Sequence, residues 1–345
     1  MPPPTRDTFA TDELAIVLSH YNLGVIESIT EFKRGSRRSP KLGIVTDSGK
    51  YLLKKRAADR GGLERVTYTH AIQHHLVEKN FPLPRLQCPV GSSDTILALG
   101  ESLYEVFEYV SGHPYSGEPR ETRAAGRVLA EFHSDLADFP DARSFASSGY
   151  HDALGVQTGL NAVPTSVTAH DSAAGKEAEV LALTSFLFEA YTSAADKVEQ
   201  AGFAEWPESV THSDWHPGNI LYKRGEVLAV VDYDCAKPGK PTCDIANGAL
   251  QFSIIASGTP DSWPDHLDLL RIREFLSGYE EHSPIDESRM ELLPHLMIEA
   301  LIAEAVLPIA ATGTFGRFGG FGFMQMVRRK VRWIQSHADQ LRVVA

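Results

Sequence analysis

The sequence predicts an α+β protein of two lobes: a small antiparallel sheet with one helix, then a larger and mainly helical region. Three observations carry this. The chain has 345 residues, and at roughly 150 residues per domain that length fits two units. Short, partly alternating apolar segments fall between about residues 25 and 110, whereas 3.6-period segments dominate after about residue 112. The order is helix, sheet, one helix, sheet, then helices around a small strand pair, which is not the βαβ alternation of a doubly wound parallel sheet. We therefore place the N-lobe at residues 1–110, with an N-terminal helix, and the helical C-lobe at 111–345.

Taken in order, residues 1–10 are Pro-rich and read as a loose arm. Thr11–Tyr21 reads as a helix, with Thr11 as N-cap and Leu14, Val17 and Leu18 on one face. Residues 25–32, 42–46 and 50–54 read as strands, the last two joined by an Asp47-Ser48-Gly49 turn. Val66–Lys79 is helical, with Val66, His70, Gln73 and Val77 on one side, and Pro82 and Pro84 end it. Leu103–Val110 is strand-like. Beyond it, Glu121–Leu136 and Gly175–Gln200 read as helices, as do 264–281 and 291–310, while 140–172 lacks periodicity and reads as a long loop. Residues 209–235 form a β-rich island. His133-Ser-Asp135 lies on an amphipathic helix and reads as packing, and glycine-rich 313–322 follows no strand, so it is no dinucleotide fingerprint.

Composition narrows the partners. The residues are 43% hydrophobic and 23% charged, which fits a packed core and excludes a disordered or collagenous chain. A formal charge of −12 disfavours nucleic acid and anionic membranes. The charge is uneven, because Lys33–Arg60 holds ten Lys and Arg against Asp47 and Asp59. Cys88, Cys235 and Cys243 form no CxxC pair, which fits a reducing cytoplasm. No secretory signal is visible in MPPPTRDTFA, and the apolar run Ala305–Ala311 is too short to span a bilayer and contains Pro308.

Chemistry concentrates in one segment. His212-Ser-Asp214-Trp-His216-Pro-Gly-Asn219 turns tightly at Pro217-Gly218 and leads into Ile220-Leu-Tyr222, and the return strand Val227–Val231 delivers Asp232. One carboxylate (Asp232) and one amide oxygen (Asn219), completed by waters and phosphates, suit Mg²⁺. Asp214, at the turn, can accept the proton of an attacking hydroxyl. These are the parts phosphoryl transfer needs, since that reaction depends on positioning and charge neutralisation. Asp234 nearby reads as a surface carboxylate in preference to a second metal ligand.

HxDxxxxN followed by a strand-borne Asp resembles the catalytic loop and metal aspartate of the protein-kinase-like fold. With His216 included, the segment is similar to the HGDxHxxN of the aminoglycoside phosphotransferase and homoserine kinase-like small-molecule kinases, and Asp244-Ile-Ala resembles the D-[IL]-A that follows there. The likeness runs from about residue 20 to about 335 and is most specific over 209–246. It implies a bilobal kinase-like fold binding ATP and Mg²⁺ between the lobes. Asp214 is then the catalytic base or the aspartate that orients the hydroxyl, His216 a second catalytic-loop residue that braces the loop or acts directly in catalysis, His212 a structural histidine, Asn219 and Asp232 the metal ligands, and Asp244 an anchor of the loop. The resemblance makes Lys54 the strand lysine on the α/β-phosphates and Leu52, on the same strand face, an adenine cover. Glu108-Tyr109-Val110 becomes the hinge, with backbone groups of Glu108 and Val110 pairing with adenine.

Two departures stand out. Arg34-Gly-Ser-Arg-Arg-Ser-Pro-Lys41 replaces the usual Gly-rich phosphate loop. Backbone N–H groups of Gly35 and Ser36 can still cradle phosphate, and the arginines can add charge-assisted bonds or recognise an anionic acceptor. The helix glutamate that pairs with the strand lysine is also missing, with Thr69 and His70 in its place, leaving Glu64, Glu78 or another arrangement to hold Lys54. The expectation is an ATP- and Mg²⁺-dependent kinase acting on a small-molecule hydroxyl, with aminoglycoside, amino alcohol, sugar and homoserine-like acceptors all open. The alternative is a nucleotide-binding pseudokinase; a protein kinase is disfavoured because 232–244 leaves no long activation segment.

Overall fold

A computed structural model describes residues 7–32, 39–57, 62–140, 149–169, 173 and 175–343. The expected phosphate-loop residues Gly35 and Ser36, with Arg34, Arg37 and Arg38, lie outside the described residues. In chain order, the first elements are α1 (Thr11–Ser19), β1 (Ile26–Phe32), β2 (Lys41–Thr46), β3 (Lys50–Ala57), α2 (Gly62–Glu78), β4 (Leu86–Gln87), β5 (Ile96–Leu99), β6 (Ser102–Glu108) and β7 (His113–Pro114). Then come α3 (Pro119–Asp135), α4 (Leu154–Thr168), α5 (Glu177–Gln200), β8 (Ser209–Thr211), β9 (Ile220–Lys223), β10 (Glu226–Val230), β11 (Lys237–Gly239) and α6 (Pro241–Ser253). The chain ends with α7 (Leu269–Glu280), α8 (Glu287–Met290), α9 (Leu293–Thr312), β12 (Thr314–Phe315), β13 (Phe318–Gly319), α10 (Gly320–Ser336) and α11 (Ala338–Val343). They form two compact units: one of 1–114, 138–143 and 220–234, the other of 115–137, 144–219 and 235–345. The first unit thus departs from the expected 1–110: it runs to residue 114 and takes in 138–143 and the hairpin carrying Asp232.

In that unit the strands run antiparallel in the order β1-β2-β3-β6-β4, with β5 also on β6. Period-2 alternation sets its two faces. Leu42, Ile44, Leu53, Tyr104 and Val106 form a core with Val17 and Tyr21 of α1 and the segment after it. Lys54, Arg56 and Glu105 alternate with those residues and so point to the other face, where His70 of α2 meets Glu105. A separate sheet, β10-β9-β7, holds the hairpin. The stop of α2 lies before the prolines. Asn80, at φ 63°, adopts the left-handed conformation, and its N–H bonds Val77 O while Phe81 N–H bonds Leu76 O, a Schellman closure.

The second unit is built on helix contacts. At the α3–α7 crossing two glycines bring backbones together: a Cβ on Gly126 would stand 1.9 Å from Phe275 O, and one on Gly278 2.0 Å from Arg123 O. Of three expectations, the first and the last need correction here. The segment read as a loop, 140–172, contains α4, whose buried Val156, Leu160, Val163 and Val167 repeat at helical spacing. Its glycines, its internal Pro164 and its lack of charged residues hide that period, yet Gly159 lets α4 approach Val306 of α9. The glycine-rich 313–322 forms the β12–β13 hairpin and the start of α10. The apolar run near the C-terminus belongs to the 20-residue α9, with mean hydropathy 1.6, long enough to cross a membrane but 78% buried within the fold. Burial on nearly every side explains its apolar surface, as in a core helix.

Candidate active site

In the second unit the loop after β8 is fixed from below. Asp244, in the first turn of α6, accepts the backbone N–H of His212 at 2.7 Å and of Ser213 at 3.0 Å. It is met by His133 Nε2 at 3.3 Å, while His133 Nδ1 contacts the Tyr279 hydroxyl. The His133-Ser-Asp135 triplet is therefore packing support for the loop, as its helical setting implied. His212 is fully buried, edge-on to Trp215 and Phe132. The carboxylate of Asp244 holds Ser213 at φ 61°, a conformation disfavoured for a non-glycine residue. This turn presents Asp214.

Two neighbours orient Asp214. Asn219 Nδ2 donates to Asp214 Oδ2 at 2.8 Å and to the Asp214 carbonyl at 3.0 Å. His216 Nδ1 accepts the N–H of Gly218 at 2.9 Å, which places its proton on Nε2. That nitrogen faces Asp214 Oδ1 at 3.5 Å. The close approach requires Gly218, because a Cβ there would lie 2.7 Å from the imidazole. The side chain of Asp214 is 38% exposed, so it remains open to a reacting hydroxyl.

In the first unit Lys54 is buried on β3, and its ammonium lies 2.7 and 2.8 Å from the two oxygens of Asp234 and 3.4 Å from Asp232. Arg56 joins Asp234 to Glu105, and Glu105 lies directly across the sheet from Lys54 in the β3–β6 pairing. At the position where the helix glutamate is absent, His70 Nε2 meets Glu105 Oε1 at 2.7 Å and His70 Nδ1 meets Thr95. Neither Glu64 nor Glu78 takes the role: acids from β6 and from the turn after β10 flank the lysine. Asp234, expected to be a surface carboxylate, is a partner of Lys54 and Arg56. Burial opposes ionisation of Asp234, but Lys54 and Arg56 outweigh it and hold the carboxyl far below the usual range. Glu105 behaves alike: burial works against its charge, yet His70, Arg56 and Lys54 bring it down to about 2.

Asp232 sits at φ 67°, another strained non-glycine position. Burial resists its ionisation, and Lys54 and Lys41, at 3.4 Å, prevail and lower its pKa. Among the described residues no group of three or more His, Cys, Asp or Glu is arranged to hold a metal ion. Mg²⁺ bound through phosphates and waters needs only one or two protein oxygens. An ionised Asp232 fits, and so does Asn219, whose amide nitrogen is spent on Asp214 and whose Oδ1 is thereby left as the ligating atom.

Leu52 is half-buried on the Lys54 face of β3. Glu108 N–H donates to Arg85 O and Tyr109 N–H to Lys50 O. A cavity of about 380 Å³ lies beside Lys50, Tyr51, Glu108 and Tyr109. A larger cavity of about 480 Å³ lies within the second unit, lined by His216 and Gly218 of the loop, Gln251, Trp263 and Glu304, and by Phe315 and Phe323. Sequence reasoning missed Glu105, the partnership of Asp234, and Glu304. Glu304 did carry a signal, being a carboxylate inside the apolar run of α9.

An antiparallel sheet with helices, followed by a mainly helical unit with a cavity of small-molecule size, is the architecture of small-molecule kinases of the protein-kinase-like fold. The chain belongs to the phosphotransferase enzyme family, whose model matches residues 29–292. It is 24% identical over 308 residues to a homoserine kinase of Bradyrhizobium sp. (strain ORS 278), covering 85% of this chain and 83% of that protein. Among solved structures it is similar to an amicoumacin kinase in complex with AMP-PNP, Ca²⁺ and Ami, at 12% identity and TM-score 0.68, over 96% of this chain and 94% of that one. It is also similar to a microcompartment-associated aminopropanol kinase, at 14% identity and TM-score 0.70, over 96% and 98%. At these identities the structural likeness is one of fold.

Proposed function

We propose that the protein transfers the γ-phosphate of ATP, with Mg²⁺, to a hydroxyl of a small molecule. The observation that carries this is the Asp214–Asn219 pair, which aims an open carboxylate and fixes a metal-type amide in one turn. Asp214 Oδ1 hydrogen-bonds the acceptor hydroxyl and takes its proton as the oxygen attacks the γ-phosphorus. The bond to the bridging oxygen of the β-phosphate breaks, and ADP leaves. His216, with its proton on Nε2, keeps Asp214 in place. Asn219 and Asp232 are the candidate ligands that would hold Mg²⁺, and the ion would neutralise phosphate charge. Lys54 steadies the α/β-phosphates, with Asp234 and Glu105 keeping its ammonium on that face of the sheet.

Adenine rests against Leu52 and pairs with the Glu108 carbonyl and the Val110 N–H, since the Glu108 N–H is already used. The two-lobe division at 110/111, with the hairpin reassigned, assigns nucleotide binding to the first unit and acceptor binding to the second. A cytoplasmic setting accords with three free cysteines, Cys88, Cys235 and Cys243. The case for a pseudokinase rested in part on the missing helix glutamate; the carboxylates around Lys54 remove that part. The test is ADP release from ATP and Mg²⁺ across a panel of hydroxylated acceptors that includes homoserine, aminopropanol, sugars and aminoglycosides. Acceptor-dependent release supports the reading, and ATP binding with no productive acceptor returns the pseudokinase.

A further inference from the structure

The cavity of about 480 Å³ holds one carboxylate whose purpose the phosphoryl-transfer chemistry does not explain. Glu304 lies midway along α9, in a helix otherwise apolar except for His295, Glu299 and the terminal Thr312. Gln251 of α6 donates to Glu304 Oε2, and Asn247, one helical turn earlier, also hydrogen-bonds it. These amides fix the carboxylate while leaving it exposed to the cavity. Among the described residues no lysine or arginine pairs with it. The one arginine on the wall, Arg271, is committed elsewhere: its Nε bonds Gly117 O at 3.1 Å and lies 3.3 Å from Asp268, and its guanidinium stacks on Tyr115.

Part of the remaining wall is aromatic, and aliphatic side chains such as Ile254, Leu301 and Met326 line more of it. Phe315 and Phe323 stack with ring centroids 3.9 Å apart, and Trp263 meets Phe323 edge-on at 6.0 Å. A carboxylate with no lysine or arginine partner, lining the same cavity as three aromatic side chains, matches the chemistry that binds ammonium: an ion pair at one point and cation–π attraction from aromatic rings. A neutral polyol would use neither. His216 and Gly218 form another wall of the same cavity, so a ligand held by Glu304 also reaches the catalytic loop.

We propose that Glu304 is the ammonium-binding residue of the acceptor site, and that the acceptor carries a protonated amine besides its hydroxyl. The amine sits on Glu304 among Trp263, Phe315 and Phe323, and the hydroxyl lies at the His216 side, where Asp214 is presented. This rests on the phosphotransferase reading for the fate of the hydroxyl but not for the binding of the amine. Burial, with the Asp214 carboxylate facing it, pushes Glu304 up to about 7, while His216, Gln251 and Asn247 pull it down. Water in a narrow cavity solvates charge less well than bulk, which reconciles an accessible side chain with a raised pKa. Amine binding therefore strengthens from pH 6 to pH 8 as Glu304 ionises, and Glu304→Gln flattens that rise.

The experiment is calorimetry at pH 8 with two matched pairs of probes: L-homoserine against 4-hydroxybutyrate, and 3-aminopropan-1-ol against 1-propanol. The members of each pair differ by one amine. The expected result is that at least one amine binds tenfold or more tighter than its deaminated partner, and that Glu304→Gln erases this preference. Equal binding within both pairs, no binding of either amine, or a preference that survives Glu304→Gln overturns the proposal. The wild-type comparison stands by itself if the variant misfolds. Amine binding that depends on Glu304, without phosphorylation of that amine from ATP, supports the subsite and counts against the phosphotransferase reading instead.

Discussion

Lys54 Nζ lies within 2.8 Å of both carboxylate oxygens of Asp234. This pairing replaces a helix-to-strand contact with one between a strand and the turn that follows the hairpin. The helix still takes part through His70, which bonds Glu105, which in turn is joined through Arg56 to Asp234. Five side chains on one face of the sheet thus share three positive or proton-donating groups and two carboxylates, and the position of the lysine follows from all of them.

Glu105 is the buried centre of that network, so its charge contributes to stability. Its folded pKa of about 2 lies below the ordinary 4.5. The contribution is therefore complete above about pH 4.5 and fades as pH falls from there toward 2. Glu105→Gln should cost about 3–5 kcal/mol at pH 7, as expected when one partner of a buried ion pair is removed. Urea unfolding of both proteins between pH 7 and pH 2.5 checks this: the gap should narrow through the acid limb. A variant as stable as wild type at pH 7 contradicts the role.

Asp234→Asn keeps the shape of the side chain and removes the charge nearest Lys54. The Arg65 bonds to the Asp234 carbonyl, at 3.0 and 3.2 Å, do not depend on that side chain. The KM for ATP should rise about tenfold, a loss of about 1.4 kcal/mol, with the KM for the acceptor unchanged. Steady-state kinetics with each substrate varied in turn separates the two. An equal rise in both would place Asp234 in general packing.

Gly126 and Gly278 let α3 and α7 touch along their backbones. Gly126→Ala forces a methyl group against the Phe275 carbonyl, and overpacking of this kind costs about 1–3 kcal/mol, occasionally more. Chemical denaturation should show a lower midpoint with unchanged slope. A midpoint equal to that of wild type would mean that the crossing yields easily, against the packing described above.

What the sequence revealed, and what it concealed, follows the range of each interaction. Asp214, His216 and Asn219 fall within six residues on one turn, so their spacing alone announces a site. The sheet was visible because residues 42–46 and 50–54 are short, partly alternating apolar segments separated by an Asp47-Ser48-Gly49 turn. Lys54 was visible as a lysine in a strand, but its partners lie 51 and 180 residues further on, and only the β3–β6 register and the return strand bring them near. The α4 helix was concealed because Gly155, Gly159 and Pro164 imitate a loop and no charged face marks its exposed side. Glu304 stood out in an apolar stretch, yet only the packing of α6 against α9 and the hairpin after α9 turn it into the wall of a cavity.

The central claim is that Asp214 handles the acceptor hydroxyl, and Asp214→Ala tests it most directly. General-base assistance contributes roughly 10²–10⁴-fold to rate. With a productive acceptor, ADP release by the variant should fall by at least about a hundredfold, while ATP and Mg²⁺ still raise its melting temperature as they do for wild type. Unchanged turnover in Asp214→Ala, with ATP binding intact, would contradict the assignment.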